Sequence, residues 1–213
     1  MGTINQGVMG GFSGKVGTVI GGNWNGIDYM RSRASNRSDA KSGPQLDQRA
    51  RFLTIIQLLK PLKGFLRMGF KSKAVNMSAF NAATSYNLEN ALTGTFPNYQ
   101  IDYSRVMVSQ GKLPGALNPT AISGTVAEIE FTWENNSSEI GSRADDRAVL
   151  VIYNPARQSA LSFMNGNSRL AGSQRVSLPA NFSGDEVHCY ISFQNVGQSV
   201  ISDSQFVGSA RVM

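Results

Sequence analysis

Cysteine and histidine are almost missing from this 213-residue chain, and their scarcity removes whole classes of chemistry. Cys189 stands alone, so no internal disulfide framework can form. His188 is the single histidine. Structural zinc takes four Cys or His ligands, which one of each cannot supply, so no metal is expected. Strand alternation points His188 and Cys189 to opposite faces, which excludes a Cys–His pair as well. Cys189 reads as a small core residue. No Gly-x-Ser-x-Gly elbow occurs, and a serine triad is not expected.

Charge is also scarce. Charged residues make up 16% of the chain, against a usual quarter, and 25 Ser, 17 Asn and 22 Gly fill the gap. Such a surface holds water without strong fields, as in many extracellular or particle-forming proteins. Glutamate is absent from residues 1–75, which carry 12 Lys and Arg against 3 Asp, a net +9. Residues 76–213 carry 8 cations against 11 acids, a net −3, and the whole chain is +6. The basic half suits phosphates or the acidic half of a neighbouring copy.

Long apolar runs are missing too. The greasiest window, residues 52–70, is interrupted by Lys60, Pro61, Lys63 and Arg67, so no membrane span is expected. The first residues lack a charged n-region followed by an apolar core, so no secretory signal is expected. Gln6 stands where myristoylation needs Ser or Thr. Synthesis in the cytoplasm is the expectation, with a virion or extracellular particle as destination. Gly10 to Gly17 imitates a phosphate loop, but the glycines open a strand and Lys15 is followed by Val16. Glu128, Glu130 and Glu134 share a strand face and Asp145-Asp146 fall in a loop. Paired carboxylates can hydrolyse glycosides across a cleft; here they read as solvated surface.

What the chain does contain is organised around residues 16–33. Asn25-Gly26 is the strongest hairpin signal, because a type I′ turn needs φ > 0 at both central residues. A two-residue turn puts Trp24 opposite Ile27, Gly22 opposite Tyr29, Ile20 opposite Arg31 and Thr18 opposite Arg33. One face then carries Trp24, Ile27, Tyr29, Ile20, Arg31 and Arg33. The other carries Gly17, Val19, Gly21, Met30 and Ser32, slim enough for another backbone to approach. Tyr29 packs over Gly22, where no side chain obstructs the ring. A lone hairpin is marginal in water and must lean on something, here the following helix.

That helix is expected over residues 44–60, capped by Ser42 or Gly43 with Pro44 in its first turn and Pro61 at its end. Its apolar residues surround it from Phe52 onward, which predicts burial on more than one side, as an ordinary core helix or, alternatively, with its second face against another subunit. A second helix is expected over 72–92, stopped by Gly94. Beyond residue 95 the pattern is β. Ala127, Ile129, Phe131 and Trp133 alternate with polar residues; Val187, Cys189, Ile191 and Phe193 do the same; Val149 to Tyr153 is continuously apolar. The expected fold class is α+β: a hairpin and two-helix module over 1–95, then a fibronectin III or immunoglobulin-like β-sandwich over 96–213 that folds alone.

Five blocks carry a wider resemblance: Gly11-Phe12-Ser13-Gly14-Lys15-Val16-Gly17-Thr18-Val19, Gly26-Ile27-Asp28-Tyr29-Met30-Arg31-Ser32, Gln45-Leu46-Asp47-Gln48-Arg49-Ala50-Arg51-Phe52, Phe80-Asn81-Ala82-Ala83 and Val187-His188-Cys189-Tyr190-Ile191. Together the chain resembles an uncharacterised family of Bacteroidota proteins of about 200 residues, departing from it at Ser42-Gly43-Pro44, where Thr-Pro is expected. Its motif order is also loosely similar to phage and prophage structural proteins. The resemblance implies no catalytic residue and no cofactor.

The functional expectation is a non-enzymatic self-assembling component with no small-molecule substrate. Its subunit contacts are expected at Gly17, Val19, Gly21, Trp24, Tyr29, Met30, Arg31 and Arg33. The alternatives are nucleic-acid binding through the basic half, where Arg37, Arg49 and Arg51 add to Arg31 and Arg33, and a carbohydrate- or surface-binding module.

Overall fold

The computed structural model describes residues 2–4, 7, 10–24, 26–34 and 42–213. The chain divides into two compact units, Met1–Leu46 and Asp47–Met213. In the first, β1 (Thr3–Ile4), β2 (Phe12–Val16), β3 (Val19–Trp24) and β4 (Ile27–Ser32) form one antiparallel sheet in chain order.

Among the described residues three α-helices follow: α1 (Gly43–Leu59), α2 (Lys63–Gly69) and α3 (Ala79–Asn90). The Ser42 carbonyl accepts from the amides of Gln45 at 3.0 Å and Leu46 at 3.1 Å, and so opens α1. Pro44 sits in the first turn, where its missing N–H removes no bond, and α1 ends ahead of Pro61 as expected. It is buried on one side only. Ile55, Leu58 and Leu59 are covered, whereas Phe52 is 49% and Leu53 58% exposed. The second expected helix starts seven residues later than its pattern suggested. The Ser78 hydroxyl caps α3 by accepting from the Asn81 amide at 3.1 Å. Gly94 does not end a helix; at φ +88° it shapes the hairpin of β5 (Leu92–Thr95) and β6 (Asn98–Ile101).

The remaining strands are β7 (Leu117–Thr125), β8 (Glu128–Glu134), β9 (Arg147–Asn154), β10 (Ser159–Phe163), β11 (Ser173–Ser177), β12 (Glu186–Gln194) and β13 (Gln205–Arg211). They pair antiparallel in two sheets, β11-β8-β7 and β10-β9-β12-β13. Three strands over four, in this order, make a fibronectin III/immunoglobulin-like sandwich. Its interior holds Ile129, Phe131 and Trp133 of β8, Leu150 and Ile152 of β9, and Val187, Cys189, Ile191 and Phe193 of β12. The expected alternation is borne out.

The four-stranded sheet is covered on its other face as well. Val149, Val151 and Tyr153 of β9 and Tyr190 of β12 pack with Leu58 and Leu59 of α1 and with Phe65, Leu66 and Phe70. This is why residues 149–153 read as an unbroken apolar run: a strand buried on both faces has no polar side.

It is also why the expected boundary at residue 95 does not separate compact units, and the division falls at Leu46 instead. Polar ties reinforce the shared core. Asn87 of α3 is fully buried; its side-chain amide donates to the carbonyls of Ala83 and Met107 at 2.9 Å each and accepts the Met107 amide at 2.9 Å. The Gln110 amide donates to the Gly69 carbonyl at 2.8 Å, and a Cβ on Gly69 would stand 2.5 Å from the Val108 oxygen. The segment joining helices and sandwich is stitched to both.

Candidate functional site

The N-terminal sheet carries the expected contact residues. Its register is the one the Asn25-Gly26 signal implies: Trp24 opposite Ile27, Gly22 opposite Tyr29, Ile20 opposite Arg31. Asn25 lies outside the described residues, as does Arg37. Gly26 has φ +85°, and its amide donates to the Asn23 side-chain oxygen at 3.0 Å. A Cβ on Gly22 would stand 2.9 Å from the Tyr29 hydroxyl oxygen, so the ring does lie over that glycine. The Arg33 amide donates to the Thr18 carbonyl at 2.7 Å and continues the ladder past β4.

Strand β2 changes the picture of the slim face. Its residues pair with this chain's own hairpin. Gly14 faces Gly21, Lys15 faces Ile20 and Val16 faces Val19. The space over Gly21 is filled by Phe12: a Cβ there would stand 2.1 Å from the Phe12 carbonyl oxygen and 2.6 Å from its ring. Gly21 is accordingly buried, and no second chain can lie on it. Gly17 is not on a face at all. With φ +59° it belongs to the tight turn between β2 and β3. Val19 and Met30 remain exposed on the slim face, at 37% and 71%.

The other face gains a cation. Lys15 of β2, Ile20 of β3 and Arg31 of β4 form one row across three strands, above Gly22–Tyr29 and Trp24–Ile27. Trp24 is 52%, Ile27 65% and Tyr29 47% exposed. This surface is aromatic and aliphatic at one end and basic at the other. The alternation of Phe12, Gly14 and Val16 with Ser13 and Lys15, ahead of Gly17, was the signal for β2.

Elsewhere the polar groups serve the fold. Glu128, Glu130 and Glu134 line the outward face of β8, where Arg175 of β11 pairs with Glu130 at 3.1 Å. Asp145 is exposed but Asp146 is not; its carboxylate meets Arg169 at 3.2 Å, both side chains being essentially inaccessible. Arg169 donates further to the Gly115 and Pro114 carbonyls at 2.9 Å each and to the Asn136 side-chain oxygen at 2.6 Å. Its guanidinium carbon stands 3.9 Å from the Phe193 ring centroid. Burial lowers the Arg169 pKa, and the Asp146 carboxylate opposes that shift. No local pattern announces this buried cation; a lone arginine in a polar loop looks like surface.

Cys189 lies in the sandwich interior with its thiol pKa pushed up to about 12 by burial, so it stays a thiol at neutral pH. His188 points the other way, as alternation required. Its ring stacks on Tyr103 at 3.7 Å, and its Nδ1 is hydrogen-bonded to the Ser209 hydroxyl at 2.9 Å.

Burial lowers the His188 pKa below its ordinary 6.5, against a smaller opposing pull from Glu186. A depressed histidine pKa gives stability that is complete above the unfolded value and is lost as pH falls through the folded one. The melting temperature should therefore be flat above pH 7 and decline below about pH 6.5. His188→Gln should flatten that decline down to the carboxylate range, measured by calorimetry at pH 7.5 and 5.0.

Among the described residues no group of three or more His, Cys, Asp or Glu could hold a metal ion, and no helix is long and apolar enough to cross a membrane. The chain matches the Family of unknown function (DUF6266) over residues 11–208. It belongs to that family. The DUF6266 match takes in β2, the hairpin, all three helices and nearly the whole sandwich, so both units are parts of one family architecture. No curated protein matches this DUF6266 chain. Among solved structures it is similar to the solution structure of the fn3 domain of human collagen alpha-1(XX) chain. That likeness has 11% identity over 47% of this chain and 85% of the other, with a TM-score of 0.33. The sandwich of this DUF6266 chain is assigned by its own strand order.

Proposed function

We propose that this protein is a non-enzymatic structural component that assembles with copies of itself through its N-terminal sheet, as the subunit of a virion-like or extracellular particle. One observation carries the reading. Ile4, Val16, Val19, Trp24, Ile27, Tyr29 and Met30 are all exposed, while the only buried residue among those described in 2–34 is Gly21. A sheet holds together in water by removing apolar side chains from it. This one has the side chains and leaves them uncovered, the mark of a contact surface.

Light scattering coupled to size exclusion tests this. The full chain should run as an oligomer, and a chain beginning at Ser42 should run as a folded monomer. Trp24→Glu with Ile27→Lys should do the same, since both side chains are exposed and leave the sheet intact. Gly21→Lys is the wrong probe, because its side chain collides with Phe12 inside the sheet. A monomeric full chain at high concentration overturns the proposal.

A second reading, nucleic-acid binding, is favoured by one feature of the helices. Between Asp47 and Glu89 the chain holds seven cations and no acid, and Lys60, Lys63 and Arg67 line a single pocket beside Ser78 and Phe80. Salt-sensitive binding to DNA or RNA, weakened by Lys60→Ala with Arg67→Ala, would select that reading.

A further inference from the structure

We infer that the basic, aromatic face of the N-terminal sheet docks on the outward face of the β11-β8-β7 sheet of a second copy. The assignment rests on the assembly reading above and names the two surfaces. The first presents Trp24, Ile27 and Tyr29 beside Lys15, Arg31 and Arg33, and among the described residues no acid shares that face. Asp28 points to the opposite one, where its carboxylate accepts from the Asn23 side chain at 2.7 Å.

The second surface is the complement. Glu128, Glu130 and Glu134 project from one side of β8 while Ile129, Phe131 and Trp133 are buried on the other. Across the ladder, Ile122 lies opposite Glu130 and Leu117 opposite Glu134, and both are exposed, at 56% and 39%. Arg175 neutralises one of the three carboxylates and leaves the face net acidic. Each surface is thus a sheet face with an apolar strip and charges of one prevailing sign, and the signs are opposite. Sheets pack face to face about 10 Å apart with their side chains interleaved, and complementary charges set orientation and partner choice.

Because the two surfaces differ, each copy gives one and receives the other: one such contact per pair of copies builds a ring or an open chain, and two reciprocal contacts close a twofold dimer. The charged part of the contact weakens as salt rises.

Charge reversal tests the pairing. Arg31→Glu with Arg33→Glu should leave a folded monomer of 23.0 kDa, and so should Glu128→Lys with Glu134→Lys. Near-UV circular dichroism checks that each retains its fold. An equimolar mixture of the two variants should regain the oligomer by strict alternation, since each acidic hairpin then meets a basic sandwich face. A chain carrying all four changes should assemble with itself and not with wild type. An oligomer that loss of residues 2–34 dissolves but both reversals leave intact overturns this docking alone. A monomeric wild type overturns the assembly reading with it. Reversed variants whose mixture stays monomeric also overturn it, and release of nucleic acid by the first variant would assign the basic face to a polyanion.

Discussion

A chain cut to residues 96–213 should aggregate or stay unfolded, whereas one beginning at Ser42 should unfold in a single cooperative transition. The shorter chain keeps all seven strands of the sandwich but strips one sheet of its helices. Val149, Val151, Tyr153 and Tyr190, each at most 4% exposed in the whole protein, would lose the cover of Leu58, Leu59, Phe65, Leu66 and Phe70 and keep that of the retained Tyr103, Val106, Val108 and Phe206. Burying a large apolar side chain is worth about 1.5–3 kcal/mol, so uncovering four of them costs at most on the order of 10 kcal/mol, comparable with a typical domain's entire stability. Removing α3 also takes from the Met107 amide and carbonyl their hydrogen bonds to Asn87, a net loss of about 0.5–1.5 kcal/mol for each. Starting at Ser42 disturbs none of this and keeps the carbonyl that opens α1. Near-UV circular dichroism with denaturant titration separates the cases, and a cooperative transition from 96–213 would show the helices to be dispensable.

Arg169→Met should destabilise the protein by about 3–5 kcal/mol, enough to lower the melting temperature by roughly 10 °C or more. The substitution leaves Asp146 as a buried charge with no counterion, and one of its oxygens already lacks a partner. It also takes the donor from the Pro114 carbonyl and from the Asn136 side-chain oxygen, while the Gly115 carbonyl keeps the Asn136 side-chain amide at 3.1 Å. Asp146→Asn should be damaging by the converse route, leaving the cation uncompensated. The double change to Arg169→Met with Asp146→Leu should recover part of the loss, because the energetic defect is the unpaired charge. Because the pair is shielded from solvent, added salt should change these losses little. A drop below about 1 kcal/mol would place the guanidinium in contact with water.

The parts of the fold legible in the sequence were those written in local periodicity. The hairpin register followed from Asn25-Gly26 and from the fit of Tyr29 over Gly22. The half-buried strands followed from alternation at Ile129–Phe131–Trp133 and Val187–Cys189. Pro61 marked the end of α1. What was not legible depends on contacts between distant segments. The apolar run at 149–153 signals two buried faces but not which element covers the second, so the helices were assigned to a separate module. Phe12 over Gly21 required β2 to fold back on its own hairpin, and a glycine-rich stretch gives weak notice of that. Of the expected contact residues, Trp24, Tyr29, Met30, Arg31, Arg33 and Val19 lie in or beside the sheet as outlined, while Gly17 and Gly21 serve its turn and its interior. Arg169 was invisible because burial of a cation is decided by its partners, three of them more than thirty residues away.

The double cover of the β10-β9-β12-β13 sheet changes what drift of the sequence can do to this protein. In an ordinary sandwich every second position of a strand faces water and is free to vary. Along Ala148 to Tyr153 and Val187 to Phe193 no such position remains, so neighbouring residues are constrained by two different cores. A change of volume at Leu150 is felt in the sandwich, and one at Val149 or Val151 is felt among the helices. The two halves of that region can therefore diverge only in step, held together by strands that belong equally to both.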